Sequence, residues 1–257
     1  MEVHAHTHPS TGSGHRKKWT HYLWEFLMLF LAVFCGFLAE YKLEQTIERH
    51  REKEYIISMI EDLKADTANI NTHANLRIDR RRRMDSLSYF LNQPDYLSHT
   101  ALLYYYARWA PRVTYFYSTD GTMQQLKNAG GMRLITNKSA VKAIIAYDAQ
   151  LKLVQTQNYS LEQDRLTGFQ NLMVLIFNGN VLDEMYGDSL ISKPTGNPGL
   201  ISNEKQLIDQ LASQLHFVKS LNNRNTYFEN KLKLLAISTI EILKKEYHLS
   251  ERTPLEE

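Results

Sequence analysis

The sequence contains one cysteine and none of the common catalytic motifs. Cys35 has no second cysteine to pair with, which excludes an intramolecular disulfide framework and any zinc site that needs two cysteines. The chain also has no G-x-S-x-G, no H-E-x-x-H and no phosphate-binding glycine loop. We therefore expect no enzymatic activity, no catalytic residue and no cofactor.

Neither sign of charge dominates the chain. It carries 30 lysine and arginine residues against 28 aspartate and glutamate residues, and 43% of its 257 residues are hydrophobic. Such a composition is typical of a globular protein with its own core and excludes a disordered polyelectrolyte. We expect no nucleic-acid partner.

One long apolar run is present, WTHYLWEFLMLFLAVFCGFLA, at residues 19–39. Roughly 21 helical residues of ~1.5 Å rise span the ~30 Å hydrocarbon core of a bilayer. A buried core helix and a secretory signal are alternatives, although the run ends without the small residues of a cleavage site. We predict a disordered histidine-rich tail at 1–18, a transmembrane helix at 19–39 and a helical-bundle domain at 40–257.

Proline and glycine are scarce, with 6 and 11 residues. Long stretches without either have apolar residues three or four apart, as in Ile56, Ile60 and Leu63, a spacing typical of amphipathic helices. We predict an all-α fold in which the transmembrane helix continues into a long helix and an antiparallel helical bundle. The later predicted helices are a short one after Ser118 and long ones at about 138–177 and 204–247.

Basic residues beside the span set its expected orientation. Arg16, Lys17 and Lys18 precede it, whereas the residues after it mix lysine and arginine with glutamates. We expect the N-terminus in the cytoplasm and the bundle on the far side of the membrane. If the bundle lay in the cytoplasm instead, its arginine cluster would face anionic lipid headgroups or nucleic acid.

Glu25 lies inside the predicted span, where an ionised carboxylate is costly unless it is paired or reaches water. In one interpretation it extends to the headgroups beside His21, which lies four residues earlier on the same helix face. In the other it faces a second protein helix. We take Glu25 as a candidate partner-binding residue.

Five arginines within about two helical turns form the one dense basic patch. Guanidinium groups of this density favour contact with phosphate, with lipopolysaccharide or with an acidic partner. The alternative is a solvated helix face, because neighbouring side chains on a helix point in different directions. The candidate partner-binding residues here are Arg77, Arg80, Arg81, Arg82 and Arg83.

The segment LLYYYARWAPRVTYFY, residues 102–117, concentrates aromatic side chains. Aromatic residues at helical spacing belong to a core or line a ligand cleft, and both interpretations stay open here. The candidate ligand-pocket residues are Tyr104, Tyr105, Trp109, Tyr115 and Tyr117.

Four histidines of the N-terminal tail, His4, His6, His8 and His15, are candidate metal ligands. Neutral imidazoles bind divalent transition metals, but a flexible histidine tract also binds such ions adventitiously. Both interpretations remain open.

Two stretches of the chain are WTHYLWEFLMLFLAVFCGFLAE, followed by ERHREKEYIISMIEDLKAD, and TMQQLKNAGGMRLITNKSAVKAIIAYD. Together they resemble an uncharacterised family of single-span membrane proteins of Bacteroidota with a histidine-rich N-terminus. The resemblance covers residues 1–66 and 118–148 and implies a protein of the bacterial envelope. Together with the basic residues before the span, it leads us to expect the bacterial inner membrane, with the bundle in the periplasm. It transfers no catalytic residue.

Our leading hypothesis is an envelope scaffold or accessory subunit. Its expected partners are the lipid bilayer and other membrane or envelope proteins, within a larger complex or as a homo-oligomer. One alternative is a periplasmic ligand-sensing bundle that acts through a partner. The other is metal handling by the histidine-rich tail.

Overall fold

A computed structural model describes residues 15–128, 130–186 and 191–249. It divides into two compact units, Met1–Glu52 and Lys53–Glu257. The described residues form seven α-helices and no β-strand, so the predicted all-α fold is confirmed. The helices are α1 (His15–Leu91), α2 (Thr100–Trp109), α3 (Gly121–Asn128), α4 (Lys138–Lys152), α5 (Tyr159–Ile176), α6 (Gly179–Glu184) and α7 (Lys205–Glu246).

Helix α1 contains 77 residues and includes the predicted span. It begins at His15, four residues before that span, so residues 15–18 are helical rather than part of the expected tail. Pro94 follows its end at Leu91, and the side-chain amide of Asn92 donates to the Ser88 carbonyl at 2.7 Å. Proline favours a helix end nearby, because it cannot continue the hydrogen-bonded ladder.

The described side chains of residues 19–39 are all exposed. This segment is the one described helical stretch that is long and apolar enough to cross a membrane, judged by length and composition. A core helix of a soluble protein would bury one face, and none of this segment is buried. The coarser prediction of an N-terminal membrane-spanning helix is therefore supported.

The second unit is a bundle of three long helical segments. Thr239 on α7 donates to the Ala143 carbonyl on α4 at 3.5 Å, and further along, Glu229 accepts from Tyr159 at 2.8 Å, so α7 runs antiparallel to α4 and α5. On α1, Arg77 lies 2.9 Å from Glu229 of α7, and the later residue Asp85 lies 2.6 Å from the earlier Lys219, so α1 and α7 are antiparallel as well. The part of α1 in this unit therefore runs parallel to α4 and α5.

The segment predicted as one helix at 138–177 is interrupted by a single π-helical stretch, Leu153–Asn158. Asn137 caps the start of α4, because its side chain accepts from the backbone N–H groups of Ser139 and Ala140 at 2.8 and 3.0 Å. Before it, Gly130 adopts a left-handed conformation with φ of 68°, which glycine tolerates because it has no Cβ. Each feature lies between α3 and α5, so the local sequence sets where these helices begin and end.

Two hydrophobic clusters form the core of the bundle. One contains α1 residues from Ile56 to Ile70, which pack against α3, α4 and the second half of α7, and it includes Leu63 and Leu232. The other joins the end of α1 to α2, α5 and the first half of α7, and it includes Leu87 and Phe169. Between the two clusters the buried positions are polar, and this layer holds the candidate site.

Candidate functional site

Two arginines and two glutamates form a buried ionic network at the centre of the bundle. Arg77 Nε donates to Glu229 Oε1 at 2.9 Å, and Arg77 Nη1 donates to Glu162 Oε2 at 3.1 Å. Arg80 Nη1 donates to Glu162 Oε1 at 2.5 Å, and its Nε donates to the Ala110 carbonyl at 2.9 Å. The four side chains are between 0% and 6% exposed, so two cations and two anions balance each other away from water.

Neutral side chains complete this polar layer. Asn225 Nδ2 donates to Glu162 at 2.5 Å, Asn222 Oδ1 accepts from Arg80 at 3.1 Å, and the Tyr159 hydroxyl donates to Glu229 at 2.8 Å. A buried charge is tolerated when it is both paired and hydrogen-bonded. Both conditions hold for each ionised group of the network.

Burial and pairing act in opposite directions on the two arginines. Burial acts to lower the pKa of Arg77, but the carboxylates of Glu162 and Glu229 outweigh it and raise that pKa above its ordinary value. Arg80 has a lowered pKa, because its burial exceeds the opposing effect of Glu162. Both guanidinium groups remain charged at neutral pH, since arginine does not lose its proton in proteins.

Several buried atoms of this region have no hydrogen-bond partner among the described residues. They include Nη2 of Arg77, Nη2 of Arg80 and both amide atoms of Asn158, the last residue of the π-helical stretch. An unpaired buried polar group costs about 1–3 kcal/mol.

The five clustered arginines point to four different surroundings. Arg77 and Arg80 are buried in the network, so the expectation that these two face an external partner is wrong. Arg81 donates to Asp85 at 3.0 Å and to Asn223 on α7, and exposed Arg82 lies 3.4 Å from Asp79. The guanidinium of Arg83 lies 3.9 Å from the centre of the Trp109 ring. One turn of helix distributes adjacent side chains over its whole circumference, which explains the divergence.

A cleft of about 580 Å³ lies between α1 and the segment after α2. Its wall combines side chains from two regions that the sequence treats as separate candidates, the arginine cluster and the aromatic segment. Arg112 also borders this cleft, and its guanidinium lies 5.5 Å from the Trp109 ring centre. The lining residues are Leu76, Arg77, Asp79, Arg80, Arg83, Trp109, Pro111, Arg112, Val113 and Thr114.

Of the five aromatic candidates, only Trp109 lines this cleft. Tyr104 is buried in the core, where its hydroxyl donates to the Gly199 carbonyl and accepts from the Asn178 N–H, both at 2.9 Å. Tyr115 packs on Tyr159 with ring centres 4.6 Å apart. For Tyr104 the ligand-pocket interpretation is wrong, and the core interpretation holds because the large ring buries apolar area against Phe177.

The remaining two aromatic candidates are more accessible. Tyr105 is half-buried and its hydroxyl accepts from Arg83 Nη1 at 3.0 Å. Tyr117 is 75% exposed. Tyr105 therefore supports the cleft by holding Arg83, whereas Tyr117 lies away from the lining residues.

The candidate metal ligands lie largely outside the described part of the chain. His4, His6 and His8 precede residue 15, and only the backbone of His15 is described, at the start of α1. In residues 15–128, 130–186 and 191–249, no group of three or more histidine, cysteine, aspartate or glutamate side chains is placed to hold a metal ion.

Glu25 lies in the apolar part of α1 with 58% of its side chain exposed. His21 Nε2 lies 3.2 Å from Glu25 Oε1, as the four-residue spacing predicts. The pair is charged on both sides only when His21 is protonated, so it is weaker than the arginine pairs of the bundle.

Sequence reasoning missed Glu162, Glu229, Asn222 and Asn225. A signal was available in α7, where the buried positions continue three or four apart straight through the polar residues. They are Ile208, Leu211, Leu215, Val218, Asn222, Asn225, Glu229, Leu232, Ala236, Thr239 and Leu243. A stripe that keeps its period while turning polar indicates a buried polar layer rather than a change of face.

Comparison with known proteins adds no family. No family model, no curated protein and no solved structure matches the chain.

Proposed function

We propose that this protein is a membrane-anchored scaffold or accessory subunit that binds other membrane or envelope proteins through its span and its helical bundle. The observation that supports it most directly is Glu25, an acidic side chain on an exposed apolar helix segment, for which His21 is the one ion-pair partner among the described residues. A carboxylate inside a bilayer costs several kcal/mol unless it is paired or reaches water. A basic or polar group on a partner helix removes that cost, and the carboxylate then favours association.

Glu25→Leu tests this proposal. Native complexes are purified in gentle detergent from cells that express the wild type or the variant, and stoichiometric companions are quantified by mass spectrometry. We expect the amount of each companion that co-purifies with the variant to fall at least about tenfold, which corresponds to a loss of ~1.4 kcal/mol in binding free energy. The matched control is Glu44→Leu, which changes an exposed glutamate beyond the span in the same way. An unchanged companion list in Glu25→Leu contradicts the proposal.

The proposed setting is the inner membrane of a bacterium, with the N-terminus in the cytoplasm and the bundle in the periplasm. Arg16, Lys17 and Lys18 before the span support this orientation, because cytoplasmic flanks are rich in lysine and arginine. Alkaline phosphatase fused after Glu257 is expected to be active, since that enzyme folds only outside the cytoplasm. A fluorescent protein is fused at the same position in a second experiment. If that fusion is fluorescent and the phosphatase fusion is inactive, the bundle lies in the cytoplasm instead.

A second candidate function is ligand sensing by the bundle through a partner. The cleft beside Trp109 favours it, because a concave site of about 580 Å³ has the size of small-molecule pockets. The chemistry of its wall defines which ligand to test.

A further inference from the structure

The cleft between α1 and the segment after α2 has an excess of positive charge. Among the described residues that line it, four are arginines and one, Asp79, is acidic. Arg77 and Arg80 are balanced by Glu162 and Glu229 beneath them, and Asp79 pairs with Arg82 outside the lining. Arg83 and Arg112 lie at the wall with no carboxylate within ion-pair distance in the described chain.

Buried donors of the same wall also lack acceptors. Nη2 of Arg77, Nη2 of Arg80 and Nε1 of Trp109 are buried N–H groups with no hydrogen-bond partner in the described residues. Native proteins pair nearly all such groups, because each unpaired donor costs about 1–3 kcal/mol. Because these three atoms are inaccessible to solvent, they do not face the open cleft, and the cationic groups available to a guest there are Arg83 and Arg112.

We propose that this cleft, which we call the arginine cleft, binds the phosphate group of a small phosphomonoester. A phosphomonoester carries about −1.5 to −2 charges at neutral pH, which matches the two arginines, Arg83 and Arg112, that have no carboxylate partner among the described residues. Its oxygens accept several hydrogen bonds, and guanidinium groups donate to phosphate in a fork geometry. The volume of about 580 Å³ leaves room for the organic part of the ligand.

The wall is held in place before a ligand arrives. Arg83 Nη1 donates to the Tyr105 hydroxyl at 3.0 Å while its guanidinium lies over the Trp109 ring, so its side chain has little freedom left to lose. Arg80 is fixed by Glu162 and by the Ala110 carbonyl. Groups that are already ordered bind more tightly, because less conformational entropy is lost on binding.

The test is isothermal titration of phenyl phosphate into the full-length protein in detergent micelles at low salt and pH 7.5. Phenyl sulfate is the matched probe, since it has the same ring and a single negative charge. The double variant Arg83→Gln with Arg112→Gln removes the two arginines without touching the buried network. The matched control is Arg82→Gln, which removes one adjacent exposed arginine that does not line the cleft.

We expect saturable binding of one phenyl phosphate per chain, at least about tenfold tighter than phenyl sulfate. We expect the double variant to weaken it about 100-fold, tenfold for each charge-assisted contact, and Arg82→Gln to leave it within about threefold. Three results overturn the inference: no saturable binding at millimolar phenyl phosphate, equal affinity for phenyl sulfate, or an equal loss in Arg82→Gln. None of them bears on Glu25 or on the companions of the span, so this inference stands or fails independently of the scaffold proposal.

Discussion

Glu162 in the bundle and Glu25 in the apolar part of α1 present the same chemical problem in two regions of the chain. Glu162 is fully buried, and Arg77, Arg80 and Asn225 donate to its carboxylate at 2.5–3.3 Å. Glu25 is 58% exposed and has His21 at 3.2 Å. The bundle supplies the counter-charge of its carboxylate from within the chain, whereas the apolar helix supplies at most a titratable imidazole.

This difference separates two uses of an acidic residue in apolar surroundings. A carboxylate with permanent cations on both sides specifies how helices of one chain pack, because any shift in register leaves a charge unpaired. A carboxylate without such cations is left for water, headgroups or another chain. We therefore assign to Glu162 the role of fixing the register in which α1, α5 and α7 pack. The scaffold proposal is based on Glu25.

Asp66 is an intermediate case. It is 1% exposed, and its partners are neutral: the Thr119 N–H donates to it at 2.6 Å and the Tyr147 hydroxyl donates to its other oxygen. Burial raises the pKa of Asp66 above its ordinary value, the charge of nearby Asp62 adds to the rise, and the hydrogen bonds from Tyr147 and Thr119 offset only part of it. Neutral donors thus stabilise a buried carboxylate less than arginines do.

The largest effect is expected for Glu162→Gln. Loss of this charge leaves Arg77 and Arg80 buried with only Glu229 to balance them, and breaking a buried pair from one side typically costs about 3–5 kcal/mol. Urea unfolding followed by far-ultraviolet circular dichroism in mild detergent measures the loss. The same change at an exposed site of the same helix, Asp164→Asn, is expected to stay within about 0.5 kcal/mol. Equal stabilities of the two variants contradict the assigned role of Glu162 in the bundle.

The helices were largely predictable from the sequence, because the information that sets them is local. The absence of proline and glycine between Glu40 and Pro94, the cap at Asn137 and the glycine at position 130 each act within a turn of where they lie. The pattern of apolar residues gave the helical period. The π-helical stretch before Tyr159 was not predictable in this way, because no proline or glycine marks it.

The candidate site was only partly predictable, because it depends on contacts between distant residues. Arg77 and Glu229 lie 152 positions apart, and composition does not say which glutamate reaches which arginine. The arginine cluster and Trp109 were each singled out, but their meeting at one cleft follows from how α2 packs on α1. Polar residues on the α7 stripe are hard to recognise from the sequence, because apolar neighbours such as Leu221 fit the same period approximately.

The smallest effect is expected for the dependence of stability on pH at Asp66. Because its folded pKa is raised by burial, the folded state keeps the proton where the unfolded chain has lost it. Its contribution to stability is therefore fully present below the unfolded value of about 3.9 and is lost as the pH rises through the higher folded value. Asp66→Asn removes this titration, and its amide oxygen still accepts from Thr119. At pH 4 we expect the variant to lie within about 1 kcal/mol of wild type.

Measuring the free energy of unfolding at several pH values between 4 and 7 isolates this titration from Asp85 and Asp148. Burial opposes ionisation of both, but neighbouring lysines and, for Asp85, Arg81 lower the pKa of each, so their contributions change below this range. Wild type should lose stability relative to Asp66→Asn as the pH rises, whereas Asp120→Asn, an exposed site, should run parallel to wild type. If wild type instead gains stability relative to Asp66→Asn as the pH rises, Asp66 behaves like the carboxylates that are paired with arginine. Charged and neutral partners then do not differ in how they stabilise a buried carboxylate of the bundle.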